Sequence, residues 1–173
     1  VMLPARPASW KGHLILLQAL ARLKHLKVAC VLMGAGDSNS GYSEMLEKKS
    51  IELGLGAHVR ISTSTRDMPA ALMLADVVAM PSVYPEPFGR VAIEAQAMGR
   101  PVVAFDHGGA QETVSAGKTG WLAEPNNIDS LAQALETALR LTKSERDELS
   151  RLSQSIVKRR YSVKKMTKST LVV

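Results

Sequence analysis

A chain of 173 residues with 46% hydrophobic side chains can bury one sizeable core and is too short for two ordinary domains. Aromatic residues make up only 4%, which suits helices packed on a sheet better than an aromatic-rich β-sandwich, and a single cysteine, Cys30, excludes a disulfide framework and a cysteine metal cluster. The net charge of +6 sits in the tail, where residues 140–173 hold ten Lys or Arg against Glu145, Asp147 and Glu148. With only Tyr161 there to stack on a base, this charge reads as a solvated helix face rather than a nucleic-acid site. Contact with anionic lipid headgroups is the livelier alternative. No apolar run approaches a membrane span and no signal peptide opens the chain, which predicts a cytoplasmic protein, peripheral at most to the inner face of a membrane. The start at Val1 predicts a fragment.

Short β-branched runs alternate with helical patterns along nearly the whole chain. "VML" (1–3) comes first, then an apolar-periodic segment over 13–24; "VACVLM" (28–33) precedes another over 42–54. "HVRIS" (58–62) and "DVVAM" (76–80) flank a helical stretch over 67–74, and "PVVAF" (101–105) lies between helical patterns over 90–99 and 109–117. "TGWLA" (119–123) is the sixth strand, followed by a helix over 128–141. Such alternation implies right-handed crossovers and a doubly wound α/β domain of Rossmann-like type, a parallel sheet with helices on both faces. Thr142 and Glu145 have capping-box spacing and open a further helix, with Leu149, Leu152 and Ile156 along one face. The predicted division is 1–141 for the Rossmann-like body and 142–173 for a basic helical tail.

In sheets of this kind ligands bind beyond the carboxyl ends of the strands. Chemistry is therefore sought in the loops 6–11, 34–38, 63–67, 81–89 and 106–109. Two phosphate motifs fail there. "GAGDSN" supplies Gly34 and Gly36 but has Asn39 where a dinucleotide fingerprint needs its third glycine, and "GKT" at 117–119 has Glu112 where a P-loop needs its upstream glycine. Gly34 and Gly36 retain two readings, close approach to a ligand or a tight turn.

Arg6 and Lys11 flank the loop between the first strand and the first helix, so both cations stand at the sheet's carboxyl edge near the positive end of a helix. A diphosphate suits that setting. Phe88 and Gly89 lead into another helix whose first amides Gly89 leaves uncovered, a second anion site of the same type. Glu94, five residues on, can accept both hydrogens of a ribose diol. Ala92, Ala95, Ala97 and Met98 make that helix nearly apolar all round, which predicts that Glu94 is buried and partnered. Glu86 would be repelled by a diphosphate, so it faces a polyhydroxyl group or leans on Arg6 or Lys11.

Pro81, Ser82, Glu86, Pro87, Phe88, Gly89, Glu94, Ala95, Ala97, Gly99, Pro101, Val102, Val103 and Ala104 together resemble the donor-binding signature of the retaining glycosyltransferases with two Rossmann-like domains, the GT-B type, in their family-four group. The resemblance runs nearly the whole chain: Arg6, Lys11 and Gly12 match the family's Arg-x-x-x-x-Lys-Gly step, Gly34 to Gly36 its glycine turn, and "GGAQETVSAGKTGWL" (108–122) its Gly-Gly-x-x-Glu loop and following strand. It implies that Arg6 and Lys11 hold the diphosphate of a UDP- or GDP-linked sugar. Phe88, Gly89 and Arg90 would offer amides beside it, Glu94 would take the ribose, and Glu86 would bind the transferred sugar. Thr65 and Met68 would border the base, in a loop that reads "STSTRD" where members often carry an aromatic and a glycine. His107 would lie close to the sugar as a hydrogen-bond donor, or be an ordinary loop histidine.

The resemblance further implies a C-terminal donor-binding half whose tail, "YSVKKMTKSTLVV", crosses back to an N-terminal acceptor domain, and a fragment inactive alone. The acceptor class it implies is a cell-surface glycan or a lipid-linked one. No metal or cofactor is expected, since the sequence has no Asp-x-Asp pair. Two further readings are a sugar-nucleotide epimerase or phosphorylase of the same fold, and a non-catalytic binding or assembly module.

Overall fold

The computed structural model describes residues 1–37, 41–163, 165, 167 and 171. Six strands, β1 (Met2–Pro4), β2 (Cys30–Met33), β3 (Val59–Ser62), β4 (Val78–Met80), β5 (Val102–Phe105) and β6 (Gly120–Ala123), form one sheet in the order β3-β2-β1-β4-β5-β6. Every pairing is parallel. All six predicted strands are present, and each begins one or two residues later than its apolar run. Pro101 shows one reason: it has no N–H to give to a ladder, and instead its carbonyl accepts from the Val78 amide at 3.0 Å.

Among the described residues the helices are α1 (His13–Arg22), α2 (Tyr42–Glu52), α3 (Met68–Met73), α4 (Arg90–Ala97), α5 (Ala110–Thr113), α6 (Ile128–Leu139) and α7 (Lys143–Arg160). α1, α2 and α6 cover one face of the sheet over a leucine-rich core that includes Leu16, Leu17, Leu131 and Leu135. The other face carries α3, α4 and α5, with α7 packed outside α4, over a core of smaller side chains such as Ala92, Ala95 and Ala104. Burial of the sheet on both sides explains why β5 reads as an unbroken apolar run.

Three expectations need correction. The helix read over 109–117 is a single turn, because Val114 is extended and the chain is drawn into a bridge between Ala116 and Gly120. The capping box of Thr142 and Glu145 is present at the head of α7, but the buried seam there is Leu149 and Ser153, and Leu152 is exposed. The tail's charge is not all solvated. The Arg146 guanidinium donates to the carbonyls of Leu139 (2.8 Å) and Leu141 (3.2 Å), tying α7 to the end of α6. Ser38 and much of the segment expected to cross back to another domain, including Lys164 and Lys168, lie outside the described residues.

Candidate functional site

The chain winds outward from β1 through β2 to β3, then returns to begin again with β4 beside β1. At that reversal the loops after β1 and β4 diverge and open a crevice at the carboxyl edge of the sheet, where open α/β folds bind ligands. The loop after β1 carries Arg6 and a 3-10 turn over Ser9–Lys11, ending at Gly12, which has φ +79°. A β-carbon on Gly12 would run into the Pro81 carbonyl oxygen, so only glycine lets α1 begin this close to the β4 loop. The Val83 amide donates to the Trp10 carbonyl at 2.7 Å and locks the two loops together.

Lys11 Nζ donates to Glu86 Oε1 at 2.8 Å, and each side chain is 15% exposed. The Ser82 hydroxyl donates to the same carboxylate oxygen. Lys11 Nζ also stands 4.2 Å from the centre of the Trp10 ring, with the Arg6 guanidinium at 6.0 Å from it. Both cations are thereby held over one indole at one rim of the crevice. Of the two partners expected for Glu86, Lys11 is the one it meets.

Beyond Glu86 the chain enters α4 through Gly89, at φ +75°, with no side chain capping the first amides. A cavity of about 370 Å³ runs from Lys11 and Glu86 past Phe88 and Gly89 to Arg90 and Glu94. Glu94 is 41% exposed rather than buried, and it accepts from Arg90 at 3.2 Å. The helix buries Ala92, Ala95 and Gln96, a stripe one residue off Glu94, so the carboxylate faces the crevice rim.

His107 is held by its surroundings. Its Nε2 donates to the Ser82 carbonyl at 2.9 Å, which leaves only Nδ1, an acceptor in the neutral ring, for any further bond. Gly34 and Gly36 form a tight turn whose amides both donate to the Ser62 carbonyl, and a β-carbon on Gly34 would lie 3.0 Å from the Ala5 carbonyl oxygen. Contact with neighbouring backbone therefore accounts for both glycines. Thr65 is exposed, its hydroxyl accepting from the Asp67 amide, while Met68 packs into the small-residue core at the head of α3.

The sequence reading did not anticipate the bond from Ser82 to Glu86, the platform of Trp10, or the placement of Tyr161 against Phe88 with ring centres 6.0 Å apart. For Trp10 a signal existed, an aromatic one residue from a cation at a strand end. Tyr161 lies too far along the chain for any local pattern to reveal it.

A parallel sheet with this order, flanked by helices on both faces, defines a Rossmann-like α/β domain. The family model of the glycosyl transferases group 1 matches residues 2–155, and the chain belongs to that family. It is 35% identical over 160 residues to the lipopolysaccharide 1,2-N-acetylglucosaminetransferase of Salmonella typhimurium, covering 88% of this chain and 42% of the relative. A glycosyltransferase from Rickettsia africae superposes with a TM-score of 0.92 at 31% identity, over 98% of this chain and 45% of its own. The Anabaena protein HepE, solved in complex with UDP-glucose, superposes with a TM-score of 0.88 at 31% identity, over 99% of this chain and 48% of its own. The chain thus spans less than half the length of these relatives.

Proposed function

We propose that residues 1–141 bind the nucleotide-sugar donor of a retaining hexosyltransferase and that residues 142–173 form a tail leading toward an acceptor-binding domain. The observation that carries this reading is the meeting of Lys11 with Glu86 across the strand-order reversal, with Arg6 alongside and the open N-terminus of α4 next to it. Complexes of the Anabaena relative with UDP and with UDP-glucose support the donor class. A glycan or lipid-linked acceptor fits the lipopolysaccharide relative.

Departure of a nucleoside diphosphate builds negative charge on its β-phosphate. Arg6, Lys11 and the first amides of α4 stabilise that charge as it grows, without a divalent ion. Lys11 has three N–H donors and spends one on Glu86, so it can hold phosphate and carboxylate together. Glu86 then offers its remaining lone pairs to hydroxyls of the transferred sugar. Glu94 takes the ribose diol at the half-open rim, where Arg90 already orients it. Thr65 and Met68 border the base, and His107, through Nδ1, meets the sugar.

Calorimetric titration with UDP- and GDP-sugars tests the assignment. Binding by the wild type is expected, and Lys11→Ala or Arg6→Ala should weaken it by about ten- to a hundredfold, the worth of one charge-assisted bond. Glu86→Gln should weaken the nucleotide sugar yet tighten free UDP, because the lost carboxylate no longer offsets Lys11. Failure of the wild type to bind any nucleotide sugar would overturn the reading.

A further inference from the structure

Tyr161 follows the last residue of α7, and its amide donates to the Val157 carbonyl at 2.9 Å. Its ring meets that of Phe88 edge to face, at 78° with centres 6.0 Å apart, and its hydroxyl donates to the Glu112 carbonyl at 3.1 Å. Phe88 belongs to the loop after β4 and Glu112 to α5, which follows the loop after β5, so one side chain from the distant tail touches both of these neighbouring segments. Those loops are already tied on the inner side, where the Gly109 amide donates to the Glu86 carbonyl at 2.7 Å. Tyr161 supplies an outer tie.

We propose that Tyr161 is a positioning residue of the donor site, bracing Phe88 so that Gly89 and the first amides of α4 are set before a phosphate arrives. Phe88 remains 48% exposed even with Tyr161 against it, so no deep apolar pocket fixes its ring. The next residue, Gly89, can leave its left-handed conformation at little steric cost. Without the brace, binding must first order this turn, and the ordering entropy is subtracted from affinity. The brace also links the crevice to the tail. Leu149 and Ser153 seat α7 against the body and Arg146 anchors its start, so a shift of the far end of α7 is delivered to Phe88. A partner that engages the chain beyond Tyr161 would thereby tune donor affinity.

This inference rests on the donor reading above, and titration of UDP and GDP into four proteins separates the two. Using whichever nucleotide the wild type binds more tightly, Tyr161→Phe should weaken binding about twofold and Tyr161→Ala about five- to tenfold, as loss of one hydrogen bond and then of the aromatic pair requires. Leu135→Ala, a cavity in the core on the opposite face of the sheet, should lower the denaturant midpoint at least as much as Tyr161→Ala and leave affinity unchanged. Wild-type affinity in Tyr161→Ala, or affinity losses that track lost stability across all variants, would overturn the positioning role. A wild type that binds neither nucleotide defeats the donor reading first and this inference with it.

Discussion

Over one face of the sheet, helices of 10, 11 and 12 residues bury leucines from α1, α2 and α6; over the other, α3, α4 and α5 span 6, 8 and 4 residues and bury mainly alanine, valine and methionine. The leucine face holds the fold together by volume, with each large side chain removing much apolar area from water. The alanine face brings backbone close to backbone, so the loops after β4 and β5 interlock through Gly108 and Gly109 and α4 begins at the crevice. Large buried side chains and close approach of backbone are thus weighted toward opposite sides of one sheet.

Truncating the leucine face should give the largest loss. Leu135 is fully buried on α6, and Leu135→Ala is expected to cost about 2–5 kcal/mol in chemical denaturation while nucleotide affinity stays at the wild-type value. A matching loss of affinity would show that the division between faces is wrong.

Adding one methyl on the other face should cost less stability and more function. Gly109 has φ −61°, so alanine is no strain to its backbone, but its β-carbon would overlap the backbone of Phe88. Gly109→Ala is expected to destabilise the protein by about 1–3 kcal/mol and to weaken nucleotide binding several-fold, since the displaced loop is the one that presents Gly89. Unchanged affinity in that variant would mean the loop can shift without disturbing the crevice.

The same contrast explains what could be read from the chain in advance. Strands announce themselves as β-branched runs, and a parallel sheet places every following loop on one edge, so Arg6, Lys11, Glu86 and Glu94 could be assigned to a common rim before any coordinates. The exposure of Glu94 could not, because alanine suits a helix surface as well as a core and blurs the buried stripe; only Ala92, Ala95 and Gln96 make it. Leu152 misled for the complementary reason, a large apolar side chain left at the surface of α7. Contacts such as Trp10 with Lys11, or Tyr161 with Phe88 and Glu112, depend on how loops converge in space. Local periodicity carries no record of that.

The smallest effect concerns His13, a titratable group on the otherwise leucine-filled side. It opens α1 two residues after Lys11, its ring is wholly buried, and Tyr42 Oη lies 3.3 Å from its Nδ1. Burial holds its pKa below the ordinary histidine value, partly offset by the backbone of Ala5 and Ala8, while the charge of Lys11 adds to the depression. The unfolded chain therefore binds the proton more readily, and stability is full above about pH 6.5 and falls as pH drops through that value, by no more than about 1.4 kcal/mol per pH unit. Glu136 and Glu145, whose pKa values are lowered by Arg140 and by Thr142 respectively, lose their contributions only in more acid solution, below the ordinary carboxylate value of 4.5. Burial also lowers the pKa of the Val1 α-amino group, which titrates in the same range, so urea midpoints at pH 7.5 and 5.5 are compared between the wild type and His13→Gln, which share that group. The wild type should lose stability between them and His13→Gln should lose less; equal losses would place the acid sensitivity elsewhere.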